Sequence, residues 1–223
     1  MTEYISKEDY VVMKGDCFAG GSTKFTPSER QCLKLDEVGV FSTTFAWEAL
    51  EICNVIMGVP ELARLNRKLR VTDACAGCGG NTMSFLCDGR FELVYVVEID
   101  RSRLNVLKDN LRFLTSVRSI RTEFELLWED YTKCMLTLKQ DVVFLDPPWG
   151  GVNYRLEKNL NLMLGGMDVA AIMDKLVGQG VCVVVKVPRT FNLCKLKGDL
   201  DYPEGLQVIG FARWNLLLYV WGV

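Results

Sequence analysis

Asp146, Pro147, Pro148 and Trp149, followed by Gly-Gly-Val-Asn-Tyr154, bring a carboxylate, a rigid backbone and aromatic rings into one short stretch. These residue types can hold and activate a planar amino group. The preceding Asp141 to Leu145 (Asp-Val-Val-Phe-Leu) is short and apolar enough for a central strand of a parallel sheet, and ligand sites form at the carboxyl ends of such strands. Asp146 stands at that end. The prolines fix φ and withhold two backbone donors, so the carbonyls beside Asp146 form a stiff row of acceptors. An exocyclic amino group on a nucleobase supplies the matching donors. Its lone pair is delocalised into the ring, and acceptors on its hydrogens draw that pair out of conjugation. Trp149 would stack on the base. The competing reading is a plain turn whose tryptophan packs into a core.

A second constellation, Asp73-Ala74-Cys-Ala-Gly77-Cys-Gly79-Gly80-Asn81-Thr82, joins a predicted strand to a predicted helix. Glycines allow close backbone approach to a ligand, and a helix start offers free N–H groups. A dinucleotide site would want a third glycine where Thr82 stands, so NAD is disfavoured. Glu98 lies about 20 residues on, where an acidic residue accepts ribose hydroxyls in such folds. An adenosine ligand therefore remains favoured. Asp73 would repel a pyrophosphate but accept a hydrogen bond from an amino-acid ammonium, which S-adenosylmethionine carries. Together with Asp146 to Trp149, the loop and Glu98 indicate methyl transfer, with S-adenosylhomocysteine as product.

Composition narrows the alternatives. The chain has 223 residues, no histidine and a net charge of −2. Without histidine, Ser-His and Cys-His nucleophiles and histidine bases are excluded, leaving carboxylates, amides, aromatics or a cofactor to carry the chemistry. The charge gives no global attraction for nucleic acid, so an anionic substrate must meet a local cluster. Nine scattered cysteines suggest reduced thiols. Cys75 and Cys78 have metal-like spacing but no second pair, so no metal is expected. No apolar run is long enough to span a bilayer, and the start lacks a signal peptide, which implies a soluble intracellular protein, in nucleus or cytoplasm, with no membrane partner.

Positioning these residues requires an α/β alternation of short apolar runs and helical patterns. Strands are expected near 70 to 74, 93 to 98, 118 to 124, 141 to 146 and 180 to 187, with an antiparallel closing pair near 207 to 213 and 216 to 221. Helices are expected over 45 to 58, 80 to 88, 102 to 114 and 167 to 178. Residues 1 to 30, with the small-residue stretch Gly15 to Thr23, read as largely irregular. The expected organisation is an extension over 1–62, partly helical and contributing to the site, and a Rossmann-like core over 63–223.

Several stretches together resemble the trimethylguanosine synthases, methyltransferases acting on guanosine N2 of RNA caps. The resemblance rests on Lys34-Leu-Asp-Glu-x-Gly-Val-Phe-Ser-x-Thr, the glycine loop, Glu98-Ile-Asp, Asp109-Asn110, Glu129-Asp130, Pro147-Pro-Trp-Gly-Gly-x-x-Tyr154 and Val187-Pro-Arg189, and covers about residues 24 to 195. It implies a class I S-adenosylmethionine-dependent fold with a mostly parallel seven-stranded sheet. By this resemblance Trp149 stacks on the N7-methylguanine of a capped RNA or cap nucleotide, and a cationic base gains cation–π attraction there. Asn110 would touch the guanine edge. Ser42, Thr44, Lys24 and Arg189 would lie near the cap phosphates or cofactor, and Tyr154 joins the substrate set. Asp73, Ala74, Gly77, Gly79, Asn81, Thr82, Glu98, Ile99 and Asp130 would hold S-adenosylmethionine, Asp130 near the adenine amino group. The expected catalytic set is Asp146, Pro147 and Trp149, in a monomer. Where the family usually has Ser the chain has Asp146, and Asp-Pro-Pro-Trp is more typical of adenine-N6 methyltransferases. Amino-directed methylation of adenine in RNA or DNA therefore stays open, as does a cap-binding module without catalysis.

Overall fold

Seven of the short apolar runs pair into one sheet. The computed structural model describes Cys17, Phe18, Gly21 and residues 23–220; most of the Gly15 to Thr23 stretch lies outside these. In chain order the strands are β1 (Leu69–Asp73), β2 (Phe91–Val97), β3 (Glu123–Leu127), β4 (Val142–Leu145), β5 (Met163–Leu164), β6 (Met167–Asp168), β7 (Cys182–Pro188), β8 (Leu206–Gly210) and β9 (Trp214–Tyr219). The helices are α1 (Pro27–Cys32), α2 (Gly39–Ser42), α3 (Ala46–Met57), α4 (Pro60–Ala63), α5 (Gly80–Asp88), α6 (Arg101–Val117), α7 (Tyr131–Cys134), α8 (Val169–Val177) and α9 (Leu193–Asp199).

The sheet order is β3-β2-β1-β4-β7-β9-β8, with β5 and β6 as a separate hairpin. Strands β3, β2, β1, β4 and β7 pair in parallel, while β9 is antiparallel to both neighbours. Alternation along each strand feeds two cores. Val142, Phe144, Cys182 and Val184 meet α3, α5 and α6; Val143, Leu145, Val183 and Val185 meet α7, α8 and α9. Phe85 of α5 lies edge-on to Phe91 and Phe144, with centroids 5.4 and 5.8 Å away, so helix and sheet interlock by aromatic packing.

The segment before residue 63 packs Phe25, Leu33, Leu35 and Val40 into the first of these cores. Helix α6 is the rail it follows. Arg118, just past α6, donates to the carbonyls of Thr23 and Lys24 and grips Glu29 through both guanidinium nitrogens at 2.8 and 2.9 Å. Asn110 bonds both backbone groups of Lys34 at 2.7 and 2.8 Å, and Arg103 pairs with Asp36 at 3.0 Å. Within the stretch expected to be irregular, α1 forms because Thr26 and Glu29 close a capping box with Pro27 in the first turn.

One boundary is displaced from expectation, and one hairpin was not expected. Strand β3 begins at Glu123 and α6 runs on to Val117, with the Thr115 and Ser116 hydroxyls bonded back to carbonyls of the preceding turn. The hairpin of β5 and β6 was absent from the expected elements; it turns at Gly165 and Gly166, whose φ of 55° and 78° only glycine adopts readily. All nine cysteines are free thiols. Among the described residues, no helix is long and apolar enough to cross a membrane.

Candidate active site at the carboxyl edge of the sheet

Register brings the first pair of site residues together. Leu145 is paired with Val185, so the next residues, Asp146 and Lys186, leave neighbouring parallel strands side by side. Lys186 Nζ lies 2.8 Å from Asp146 Oδ2 and 2.8 Å from Thr44 Oγ1. Asn81 Nδ2 donates to the same Thr44 oxygen at 3.0 Å. Both charged side chains are nearly buried, 6% exposed for Lys186 and 14% for Asp146. Burial pushes the Asp146 carboxyl above the ordinary carboxylate range, while the Lys186 ammonium and the Thr44 hydroxyl pull it back. The Thr44 and Asn81 assigned to the cofactor by sequence are thus tied to the Asp146 carboxylate.

The glycine loop lies beside this pair. Gly77 and Gly79 have φ of 56° and 99°, and Gly79 is the N-cap of α5. Asp73 and Thr82 are fully buried, and the Thr82 hydroxyl donates to Asp73 Oδ2 at 2.6 Å. Burial pushes Asp73 up to about 7. Its Oδ1 is buried and has no hydrogen-bond partner. Ala74 is buried beneath the loop. Glu98 accepts from the backbone N–H of Gly77 and of Asp100, each at 2.8 Å, and so sets the loop's shape. Ile99 and Trp128, 60% and 56% exposed, stand together past the ends of β2 and β3, joined by the Trp128 indole N–H on the Ile99 carbonyl. Arg101 covers the Trp128 ring at 4.8 Å.

Trp149 is half-buried, in contact with both cores, and meets Tyr154 edge-on at 4.9 Å. Its indole nitrogen is buried without a partner. Pro147 is buried beside it. Lys186 Nζ lies 5.4 Å from the Trp149 ring centre and 5.5 Å from that of Trp214. Trp214 stacks on Phe211 at 3.9 Å and donates to Glu48, which also pairs with Arg213 at 3.0 Å. Arg189 is exposed at the end of β7 and donates to the Phe211 carbonyl.

Other expected residues stand elsewhere. Asn110 is buried, and its amide is spent on Lys34 and the Cys78 carbonyl, leaving no hydrogen for a guanine edge. Lys24 lies by Arg118, past the far end of α6; the 17 residues of that helix put it roughly 25 Å from the strand ends carrying the site. The structure does not bring these two residues together with Asp146 and Trp149. Ser42 is exposed at the end of α2, two residues before Thr44. Asp130 caps α7 and abuts Gly165 of the hairpin. Sequence reasoning missed Lys186, Glu48, Trp128 and Trp214. One signal was available for Lys186: a charge inside the apolar run Cys-Val-Val-Val-Lys-Val-Pro, at a position facing the core.

The chain is similar to several known proteins. Over 193 residues, 76% of this chain and 70% of the relative, the chain is 28% identical to an uncharacterised protein, L320, of Acanthamoeba polyphaga mimivirus. Over 89 residues, 38% of this chain, it is 35% identical to the trimethylguanosine synthase of Schizosaccharomyces pombe, of which it spans 35%. Among solved structures, the precorrin-6y C5,15-methyltransferase of Geobacter metallireducens shares the fold, with a TM-score of 0.53 at 13% identity, covering 86% of this chain and 94% of that one. The chain has the class I methyltransferase fold. The family model described as RNA cap guanine-N2 methyltransferase matches residues 68–204, well over half of the chain, and the protein belongs to that family.

Proposed function

We propose that the protein transfers a methyl group to the exocyclic N2 of an N7-methylguanosine cap. The observation that carries this reading is the meeting of Asp146 and Trp149 at the carboxyl end of β4, beside the glycine loop. The loop suits S-adenosylmethionine, because the buried, unpartnered Asp73 Oδ1 needs a donor and the cofactor's ammonium is one. Glu98, Ile99 and Trp128 would hold its adenosine part. When bound, S-adenosylmethionine supplies a sulfonium methyl that the amino nitrogen takes as the S–C bond breaks, leaving S-adenosylhomocysteine and a proton for solvent.

The chain's own task is alignment and charge. Asp146 and the carbonyls by Pro147 accept from the amino group, orient its lone pair and stabilise positive charge on it. Trp149 and Tyr154 hold the base, and the unpartnered indole N–H of Trp149 is a donor within the same wall. Arg189 meets the cap phosphates. A second reading, transfer to adenine N6, draws on the Asp146 carboxylate in place of serine.

The test is incubation with S-adenosylmethionine and, in parallel, N7-methyl-GDP, GDP and an adenine-containing oligonucleotide, followed by mass spectrometry. One or two methyl masses on N7-methyl-GDP alone are expected. Gain on adenine alone would overturn the choice of base; binding of N7-methyl-GDP with no gain anywhere would reduce the protein to a cap-binding module.

A further inference from the structure

Lys186 is the least expected residue of the site. Residues 182 and 184 of β7 face the core under α3 and α5, and the same alternation points Lys186 to that side of a central strand. An ammonium in such a place is costly unless it is paired and hydrogen-bonded. Here it is both. Asp146 Oδ2 and Thr44 Oγ1 each lie 2.8 Å away, and the rings of Trp149 and Trp214 flank it at 5.4 and 5.5 Å. Thr44 is in turn held by Asn81 at 3.0 Å. Every contact on the carboxylate falls on Oδ2; among the described residues Oδ1 takes no hydrogen bond.

We propose that Lys186 is a positioning residue for methyl transfer, gripping Oδ2 of Asp146 so that Oδ1 stays an ionised, fixed acceptor for the amino group of the substrate. This rests on the reading of Asp146 as the amino-group acceptor. The surroundings explain why a cation is needed. Glu48 of α3, Asp73 and Cys75 of β1 and its loop, and Glu98 after β2 are the other titratable groups around the pair. Arg213 is spent on Glu48. With Lys186 removed, burial and these carboxylates would drive Asp146 toward its protonated form, in which it donates where it should accept. The lysine is no general base, because its ammonium is occupied by Asp146 and Thr44.

The test compares wild type with Lys186→Met and Lys186→Arg, measuring kcat and KM for N7-methyl-GDP between about pH 5.5 and 9. The expected result for Lys186→Met is a kcat lower by about tenfold or more near pH 6 that recovers as pH rises, with KM changed by less than about threefold. Lys186→Arg keeps the wild-type acid limb. A uniform loss across pH, or an unchanged profile, would overturn the proposal. Lys186→Gln, which can still bond Thr44, replaces the Met variant if that one does not fold. Titration of the Asp146 carboxyl by isotope-edited infrared spectroscopy, assigned with Asp146→Asn, reads the same coupling without turnover. A higher titration point in Lys186→Met is expected there. Equal titration in both proteins sinks the role of Lys186, whereas a shifted titration in a protein that methylates no nucleobase sinks the functional reading alone.

Discussion

Asp73 shows how one buried side chain can couple stability to pH. Burial raises its folded value to about 7, above the ordinary aspartate range, with Asp146 and Glu98 adding to the effect and the Thr82 hydroxyl opposing it. A carboxyl that binds its proton more tightly when folded costs the folded state nothing below the unfolded value. The penalty grows as pH rises from about 4 to about 7 and is complete above that. Asp73→Asn should therefore raise Tm at about pH 8, by on the order of 10 °C at about 2–4 °C per kcal/mol, and by much less at about pH 4.5. Calorimetry at the two pH values checks the difference. The same variant should weaken S-adenosylmethionine binding, because the ammonium would face a neutral amide oxygen in place of a carboxylate. Equal Tm changes at both pH values would show that Asp73 is ionised throughout.

At the scale of elements, α6 does two jobs. Its inner face, Leu104, Leu107, Leu111 and Leu114, covers the sheet, while Arg103, Asn110 and the following Arg118 hold the segment before residue 63, in which Thr44 lies beside Asp146. Arg118 makes four protein contacts there: carbonyls of Thr23 and Lys24, the Glu29 carboxylate and the face of Phe25. The paired guanidinium holds Glu29 down at about 2. Arg118→Ala should free the segment around Lys24 to Arg30 locally and leave the sheet intact, so that limited trypsin digestion cleaves there about tenfold faster with unchanged far-ultraviolet circular dichroism. Unchanged digestion would mean that Phe25 and Leu33 anchor the segment by burial alone.

At the scale of the whole molecule, a net charge of −2 offers no extended field for a polyanion, and the arginines near the site are partly committed, Arg213 to Glu48 and Arg189 to the Phe211 carbonyl. Recognition should then end close to the cap. A capped oligonucleotide of about 20 nucleotides should bind within roughly fivefold of the cap dinucleotide, with a shallow dependence on salt, since affinity gained along RNA scales with the phosphates neutralised. Fluorescence titrations at two ionic strengths decide this. A much tighter, steeply salt-dependent oligonucleotide complex would call for a phosphate track elsewhere on the molecule.

The amino-acid sequence alone determined the α/β class, the strand that ends at Asp146 and the glycine loop, because these depend on local periodicity, proline stiffness and glycine's access to positive φ. It could not tell that Asn110 is a clasp, that Lys24 lies at the far end of α6, or that Lys186 meets Asp146. Those outcomes depend on register and on which strand lies next to which, here β4 beside β7, with α6 antiparallel to the strands it covers. Residues 146 and 186 are forty positions apart, and nothing local to either one encodes the pairing. Lateral order in the sheet is settled by the burial of both faces at once, so it emerges only when the whole chain packs.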